Sequence, residues 1–333
     1  MNNSNTQLTV RTDFSGEPGL TFDFPSLLVG VAEYEEGPTG CTVFYFPTLA
    51  QAAVDVRGGS HGTLLTDERQ AVDAVCFAGG SLLGLSAATG VSEELFALRG
   101  HNANWNGIPL VSGGIIFDYG SRENAIYPDQ ALGRAALRAA LRSTSPGIFP
   151  LGRRGAGASA TVGKGLGFDW REWGGQGGAF RQIGPTRLAV FTVVNSVGAI
   201  IDRQGMAVRG HLDPETGRRY RHMEGLAQRI DADAGTNPAT RPEVPQQGNT
   251  TLTIVVTNQK LSTERGTDWS LRQFARQVHG SMSRAIEPFN TPRDGDVLWA
   301  VTTNEVDNPS LPDLALAVVA SELAWDAVLN CFG

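Results

Sequence analysis

Residues Gly248–Asn258 read GNTTLTIVVTN, and this stretch decides how the rest of the chain is interpreted. The run from Leu252 to Thr257 predicts a buried strand, because Thr, Ile and Val suit a pleated backbone. A flexible Gly-Asn pair and two hydroxyl side chains, Thr250 and Thr251, come directly before that run. This arrangement is typical either of a polar loop that enters a strand or of a chain that cuts itself.

Self-cleavage would take place between Asn249 and Thr250. The Thr250 hydroxyl can attack the Asn249 carbonyl, move the acyl group from nitrogen to oxygen and release it to water. The new chain then begins at Thr250, with its free α-amine beside its own hydroxyl, so one residue supplies both base and nucleophile. An unperturbed α-amine has a pKa near ~8, which suits a base at neutral pH.

The composition is that of a globular protein. Of the 333 residues, 41% are hydrophobic and 18% are charged. The formal net charge of −7 and the lack of a basic patch disfavour nucleic acid or an anionic membrane as a partner. The N-terminus has no apolar signal region, and no run approaches the ~20 apolar residues that span a bilayer. Three widely spaced cysteines, Cys41, Cys76 and Cys331, form no disulfide framework, so we expect a cytoplasmic protein.

We expect neither a cofactor nor a metal. The stretch GASATVGKG, residues Gly157–Gly165, is not a phosphate-binding loop, since five residues separate Gly157 from Gly163 and a Gly follows Lys164. The dinucleotide fingerprint is absent from this Gly-rich region. The five histidines show no paired metal-ligand spacing.

The order of predicted elements favours an α+β fold with helices outside a pair of sheets. Residues 1–19 are expected to be a mobile tail, and strands follow from Leu20. A helix starts either near Asp73 or after Gly80, and a second covers Pro128–Leu141, with Pro at its start and Ala and Leu at helical spacing. Residues 211–249 are polar and predict a linker before the cleavage point, and two more helices follow the Thr250 strand.

Four further residues are candidates to support a Thr250 nucleophile. Asp294 and Asp296 alternate along an extended segment, so both carboxylates can face Thr250, orient its amine and shuttle a proton. Lys164 lies amid glycines and, as a nearby cation, would keep that amine neutral. Asn195 lies at a strand end and could donate an N–H to a developing oxyanion.

Several strings of the sequence resemble one family, and the match runs from about Leu20 to Val328. The chain resembles the self-processing N-terminal-nucleophile hydrolases of the L-aminopeptidase/D-amidase/esterase group, and within it the nylon-oligomer hydrolase branch. The strings are FDFP (Phe22 to Pro25), YEEGPTG (Tyr34 to Gly40), YPDQALGRAAL (Tyr127 to Leu137), GNTT (Gly248 to Thr251), QVHGSM (Gln277 to Met282) and DGD with VTT (Asp294 to Thr303).

This resemblance implies a four-layer αββα sandwich. The fold, residues 20–333, would be cut into a large fragment that ends at residue 249 and a small one, residues 250–333, which stay associated as a tetramer of such pairs. Thr250 matches the family nucleophile, and Asp294, Asp296, Lys164 and Asn195 match its supporting positions. Thr with an Asp-x-Asp pair places the chain nearer the nylon branch than branches with Ser and Ser-x-Glu.

Substrate choice is the point at which the sequence departs from this branch. Relatives of the nylon type carry Tyr before the Asp that corresponds to Asp118, whereas this chain has Phe117. Tyr119 would lie on the same face of a strand as Phe117, two residues further on. Both are therefore candidate substrate-binding residues.

The function implied is hydrolysis of amide bonds within linear oligoamides such as 6-aminohexanoate oligomers. One alternative is an exo-acting aminopeptidase on short peptides, including β-amino peptides, which would need a carboxylate to bind the free amine of the substrate. An alternative of another class is a non-catalytic scaffold or assembly module, which would keep an uncut chain.

Overall fold

A computed structural model describes residues 4–66, 71–233, 248–264 and 266–332. Within these residues the α-helices are α1 (Leu85–Leu98), α2 (Gln130–Arg142), α3 (His222–Asp233), α4 (Thr267–Ser281) and α5 (Asp313–Leu329). The strands are β1 (Val10–Arg11), β2 (Gly19–Phe22), β3 (Leu28–Tyr34), β4 (Thr39–Val56), β5 (Thr63–Leu64), β6 (Ala71–Ala78), β7 (Val111–Ile115), β8 (Gly147–Pro150), β9 (Thr161–Val162), β10 (Glu172–Trp173), β11 (Gly175–Ile183), β12 (Thr186–Asn195), β13 (Ala199–Ile201), β14 (Ala207–Arg209), β15 (Thr250–Gln259), β16 (Ile286–Glu287) and β17 (Val297–Val306).

The long strand β4 joins two halves of the main sheet. The strand order is β11-β12-β15-β17-β4-β6-β7-β5, and β3 pairs with β4 and β1. The first part of β4 pairs with β3 and β6, whereas residues 51–56 pair with β17. The pairing with β6 shifts register between Tyr45 and Ala50. One strand therefore belongs to both halves, and a register shift separates its two parts.

The two halves face each other across an aromatic core. Phe44 and Phe77 come from β4 and β6, and Phe191 and Trp299 come from β12 and β17. The ring centroids of Phe44 and Phe191 are 5.2 Å apart, and those of Phe77 and Trp299 are 5.3 Å apart. Truncation of one such buried aromatic to Ala typically costs about 3–5 kcal/mol of stability. This central aromatic layer holds the two halves of the main sheet together.

Helices cover both outer faces. Residues of α1 and α2 pack with β6 and β7 in one outer cluster, and residues of α4 and α5 pack with β12 and β15 in the other. In β15, Ile254 and Val256 point into the central core while Val255 points to the helices, so the whole run is buried. The predicted α+β class and the four αββα layers are therefore confirmed.

Helix α5 is a core helix. Residues Asp313–Phe332 are long and apolar enough to cross a membrane by length and composition, and half of that window is buried within the fold. Leu316, Ala320 and Leu323 of α5 lie in the outer cluster, and the Trp325 indole donates a hydrogen bond to the Ile201 carbonyl at 3.0 Å. The apolar side chains of α5 therefore pack within the fold.

Two expected irregular segments contain structure. In the N-terminal segment, expected to be a tail, Val10 and Arg11 pair with Tyr34 and Glu33 of β3. In the expected linker over residues 211–249, His211 is fully buried and residues 222–233 form α3. Over residues 222–230 the buried position of this helix is Gly225, whereas Met223, Leu226 and Ile230 are exposed, so no buried apolar face marks the helix in the sequence. Residues 234–247 of the expected linker lie outside the described part of the chain.

Candidate active site

The central strands bring the five predicted catalytic residues together. Thr250 begins β15 and pairs with Asn195, the last residue of β12. On its other side, β15 runs parallel to β17, and the Asp294–Asp296 loop leads into β17. Thr250, Asn195, Asp294 and Asp296 have no exposed surface, and Lys164 is 8% exposed.

The peptide bond between Asn249 and Thr250 lies in a defined hydrogen-bond frame. Asn249 forms a parallel bridge with Asp294, in which the Asn249 amide donates to the Arg293 carbonyl at 3.1 Å. The Asn249 carbonyl oxygen accepts from the Gly295 amide at 2.5 Å and from the Thr250 hydroxyl at 2.6 Å. The hydroxyl therefore lies beside the carbonyl that it would attack, and the Gly295 N–H lies where negative charge would develop.

The two carboxylates bind the segments around this bond. Asp296 accepts hydrogen bonds from the Thr251 amide at 2.6 Å and the Asn290 amide at 3.0 Å. Asp294 accepts from the Val197 amide at 3.1 Å and from the Thr291 hydroxyl at 2.6 Å. Each carboxylate thereby connects two segments of the site.

Both carboxyl groups are harder to ionise than ordinary Asp. Burial raises the pKa of Asp294, and burial together with the charge of Asp294 raises the pKa of Asp296 well above its usual value. Two buried like charges oppose each other, so the pair retains a proton at a pH where free Asp is ionised. A carboxyl pair of this kind can both accept and donate a proton.

Lys164 is a buried amine beside Asn195 and within the electrostatic reach of Asp294. Its Nζ donates to the Asn195 backbone carbonyl at 3.2 Å and to Asn195 Oδ1 at 3.0 Å. Burial lowers the pKa of Lys164 to about 7, although the negative charges of Asp294 and Asp118 act in the opposite direction. The amine therefore changes charge near neutral pH, which is common for functional groups.

Asn195 connects three segments of the site. Its side-chain nitrogen donates to the Phe117 carbonyl at 2.8 Å, and its oxygen accepts from the Thr161 amide at 2.9 Å as well as from Lys164. In the intact chain the Asn249 carbonyl oxygen accepts from the Thr250 hydroxyl and from the Gly295 amide, and the sequence reasoning missed the Gly295 donor. The expected oxyanion role of Asn195 stays a prediction.

Phe117 and Tyr119 do not share the face of a strand, as the sequence had suggested. Strand β7 ends at Ile115, and the Ser121 amide donates to the Asp118 carbonyl at 3.1 Å, which closes a turn. The Tyr119 hydroxyl donates to the Ala125 carbonyl at 3.0 Å, within its own loop. Phe117 alone contacts the site, because its ring lies against Gly248.

A cleft of about 260 Å³ opens next to the Asn249–Thr250 bond. Its walls carry two cationic side chains and, among the lining residues, no carboxylate. The lining residues are Lys164, Gly165, Phe168, Val197, His222, Asn249, Pro288, Thr291, Pro292 and Arg293. His222 also lies 5.2 Å from His211, ring to ring, but the described part of the chain contains no group of three metal-ligating side chains.

Two glycines shape the loop that carries the carboxylates. A Cβ at Gly295 would lie 2.8 Å from Thr250 Oγ1 and 2.6 Å from the Ser60 carbonyl oxygen. A Cβ at Gly58 would lie 2.2 Å from the Asp296 nitrogen and 2.3 Å from the Asp294 oxygen. The Gly-Gly pair after a strand and the Gly between two aspartates were visible in the sequence, but only the packing shows why a side chain is excluded.

Comparison with solved structures shows the fold. A Burkholderia sp. β-aminopeptidase matches with a TM-score of 0.63 at 17% identity, over 97% of this chain and 89% of that one. The L-aminopeptidase D-Ala-esterase/amidase of Ochrobactrum anthropi, described as a variant of the Ntn-hydrolase fold, matches with a TM-score of 0.59 at 15% identity, over 95% and 88% of the two chains. The layered architecture is therefore that of the N-terminal-nucleophile hydrolases.

Comparison of sequences shows the family, although no family model matches the chain. The 6-aminohexanoate-oligomer endohydrolase of Paenarthrobacter ureafaciens is 44% identical over 330 residues, which cover 95% of this chain and 86% of that protein. The resemblance drawn from the GNTT and DGD strings is thereby confirmed, as is the prediction of an enzyme. This chain belongs to the amide-hydrolase family that contains the 6-aminohexanoate-oligomer endohydrolases.

Proposed function

We propose that the protein is a self-processing hydrolase of linear oligoamides, and that Thr250 is its nucleophile. The observation that carries this proposal is the geometry at Asn249. The Thr250 hydroxyl and the Gly295 amide both donate to the carbonyl oxygen of the residue before Thr250. A nucleophile and an oxyanion donor thus converge on one peptide bond of the chain itself.

Processing and catalysis would then use the same groups. During processing, Thr250 Oγ attacks the Asn249 carbonyl carbon, the C–N bond breaks, and water hydrolyses the resulting ester. In the cut enzyme, Thr250 Oγ attacks the substrate carbonyl while the Thr250 α-amine takes the hydroxyl proton. The leaving amine receives a proton, an acyl-enzyme remains, and water releases the acid and restores Thr250.

The supporting residues act on the charges of these steps. Asp294 and Asp296, which already hold the segments around Thr250, orient the new amine and supply a proton to the leaving amine. Lys164, as a cation close to Asn195 and Asp294, keeps that amine in its neutral, basic form. The Gly295 amide, with Asn195 as the second candidate, stabilises the oxyanion.

Attack within a chain, rather than at its end, is supported by the course of the protein's own backbone. Gly248 and Asn249 lie on the acyl side of the bond, so the site has room for a chain that continues beyond one residue. An aminopeptidase would place the free amine of its substrate where the Asn249 amide donates to Arg293. The cleft there is lined by Arg293 and by Lys164, whose amine is cationic below about pH 7, and these charges disfavour an ammonium group.

A peptide substrate is the second candidate, and one contact favours it. The Arg293 carbonyl accepts a hydrogen bond from the Asn249 amide, whereas an aliphatic acyl unit has a methylene group at that place. An α-peptide would keep this bond. The family relative named for 6-aminohexanoate oligomers supports the aliphatic substrate, and the two classes are compared in the experiment below.

The experiment is a hydrolysis assay on purified enzyme with four substrates. These are a 6-aminohexanoate oligomer and an α-peptide of similar length, each with a free and with an acetylated amino terminus. The proposal predicts cleavage of the oligoamide whether or not its amine is blocked. Cleavage only of unblocked substrates would instead support the aminopeptidase, and an inactive, uncut chain would support the scaffold.

We also propose that the cut fragments stay together and assemble as a tetramer of pairs in the cytoplasm, as the family resemblance implied. Association of the fragments is supported by the central position of β15, which pairs with β12 of the large fragment and β17 of the small one. Native mass spectrometry of the cut protein tests this. Separate fragments, or a single pair, would contradict it.

A further inference from the structure

The ring of Phe117 closes the space beside Gly248. A Cβ at Gly248 would lie 2.6 Å from Cγ, 2.8 Å from Cδ2 and 3.0 Å from Cβ of Phe117. Contacts below 3.0 Å do not occur between real carbon atoms of this kind, so one of the two groups would have to move. Only glycine, which has no side chain, therefore fits at position 248, the second residue before the bond to be cut.

Phe117 is held in this position by the site itself. Its carbonyl accepts the Asn195 amide hydrogen bond at 2.8 Å, and the next residue, Asp118, is fully buried. Asp118 accepts hydrogen bonds from the Ser159 hydroxyl at 2.5 Å and the Gly80 amide at 2.9 Å. These bonds therefore anchor the backbone of Phe117, and its half-buried ring lies against Gly248.

Asn249, the residue directly before the bond to be cut, borders a cleft and not a ring. Asn249 lines the cleft of about 260 Å³, together with Lys164, Val197 and Pro292. A side chain at that position therefore has space, whereas a side chain at Gly248 meets Phe117. The two acyl-side positions differ in how much bulk they accept.

If the proposed function holds, the same difference in space between the two positions applies to a substrate. The acyl part of a substrate must then lie where Gly248 and Asn249 lie before processing. Counted from the scissile carbonyl carbon as the first atom, the Asn249 Cα is the second atom and the Gly248 Cα is the fifth. In a 6-aminohexanoyl unit the fifth atom is an unbranched methylene carbon.

We propose that Phe117 is a specificity-determining residue that selects acyl chains without a branch at the fifth atom from the scissile carbonyl. Linear ω-amino-acid oligomers satisfy this condition, whereas α-peptides satisfy it only with glycine as the second residue before the bond. A branch at the second atom, facing the cleft, is accepted. The Phe117 ring thus separates aliphatic oligoamides from ordinary peptides by shape.

The first test uses the chain as its own substrate. Gly248→Ala should slow cleavage between Asn249 and Thr250 about tenfold or more, because the new methyl group meets the ring. Phe117→Ala in the same chain should restore cleavage, and the matched variant Phe117→Tyr, which keeps the ring, should not. Restoration by Phe117→Ala shows that the double variant folds, and circular dichroism compared with wild type shows whether the uncut Gly248→Ala chain folds as well.

The second test uses two acylated oligoamides that differ by one methyl group at the fifth atom. Wild-type enzyme should prefer the unbranched compound by about tenfold or more in kcat/KM, and Phe117→Ala should reduce that ratio toward one. Equal ratios in both enzymes, or undiminished self-cleavage of Gly248→Ala, would overturn this inference while leaving the proposed function intact. A wild-type chain that neither cuts itself nor hydrolyses the linear oligoamide would overturn both.

Discussion

Thr250 and Asn195 are direct partners across the antiparallel pair of β15 and β12. Both residues are fully buried in the intact chain, at the ends of two central strands. Since strand pairing fixes their separation, the hydroxyl of Thr250 cannot drift from the network of Asn195, Lys164 and Phe117. A nucleophile held by the core of the fold is already positioned before the chain is cut.

Substitution of Gly295 should slow self-cleavage in a chain that still folds. In Gly295→Ala, a Cβ would lie 2.8 Å from Thr250 Oγ1, so the amide donor and the hydroxyl can no longer reach the Asn249 carbonyl together. We expect loss of self-cleavage by a factor of about 10² or more, since one oxyanion donor is worth that much. The rate of fragment formation on a denaturing gel measures this, and cleavage at the wild-type rate would show that the added Cβ does not move the Gly295 amide and the Thr250 hydroxyl apart.

Gly58 should be as intolerant as Gly295, although it lies far from Thr250 in sequence. The Gly58 and Arg57 amides donate to the Asp296 carbonyl, and a Cβ at Gly58 would collide with the Asp294–Asp296 backbone. Gly58→Ala is expected to impair cleavage and to lower the unfolding temperature.

Gly280→Ala is the matched control for Gly58→Ala. Gly280 lies in α4, where an added Cβ meets only the end of the Arg57 side chain at 3.4 Å. Alanine should therefore stabilise this helix by up to about 1 kcal/mol and leave cleavage unchanged. Equal effects of the two substitutions would show that the Gly58 contact is not specific to the site.

Lys164 should set the acid limb of the activity profile. A cation near the Thr250 amine lowers the pKa of that amine, so the neutral form persists to lower pH. In Lys164→Met the cation is absent, and the acid limb of kcat/KM for the oligoamide should move to higher pH. An unchanged limb, or a shift to lower pH, would remove Lys164 from this role.

Lys164 should also make stability depend on pH. Its pKa falls from 10.5 to about 7 on folding, so between these values the unfolded chain binds a proton that the folded chain does not. Stability conferred through this group therefore rises with pH across that window. In an uncut Thr250→Ala background, the advantage of Met over Lys at position 164 should shrink by about 2–3 kcal/mol between pH 7 and pH 9. A constant difference in urea unfolding would contradict the buried amine.

The sequence predicts best those elements whose residue pattern follows directly from how their faces are buried. The β15 run from Leu252 to Thr257 is apolar or β-branched at every position, and both of its faces are buried. Helix α2 has Ala and Leu at helical spacing, and the side chain of Asp129 caps it by accepting the Leu132 amide. Neither assignment needed knowledge of the neighbouring strands.

Other elements depend on neighbours that the sequence does not reveal. The apolar run Ala71–Ala78 is strand β6, although a helix from Asp73 was one expectation, because an entirely buried segment loses its periodicity. Strand β11 reads GQGGAFRQI, and its glycines conceal a strand. A Cβ at Gly177 would lie 2.0 Å from the Ala327 carbonyl, so glycine is needed where α5 crosses the sheet.

The residues of the candidate site likewise fall into those that the sequence predicts and those that only the packing shows. Thr250, Asp294 and Asp296 could be named from their spacing, because their chemistry is local to two short strings. The Gly295 donor, the Phe117 ring contact and the hydrogen bonds of Asn195 depend on how β12, β15 and the loop before β17 align. Tertiary packing sets this alignment, and no short stretch of the sequence determines it.

Intact mass spectrometry of the purified protein tests the central claim most directly. Wild-type protein and Thr250→Ser should each give two fragments whose masses correspond to residues 1–249 and 250–333, and Thr250→Ala should give only the uncut chain of 35.4 kDa. A fully active wild-type protein that retains the Asn249–Thr250 bond would contradict the account.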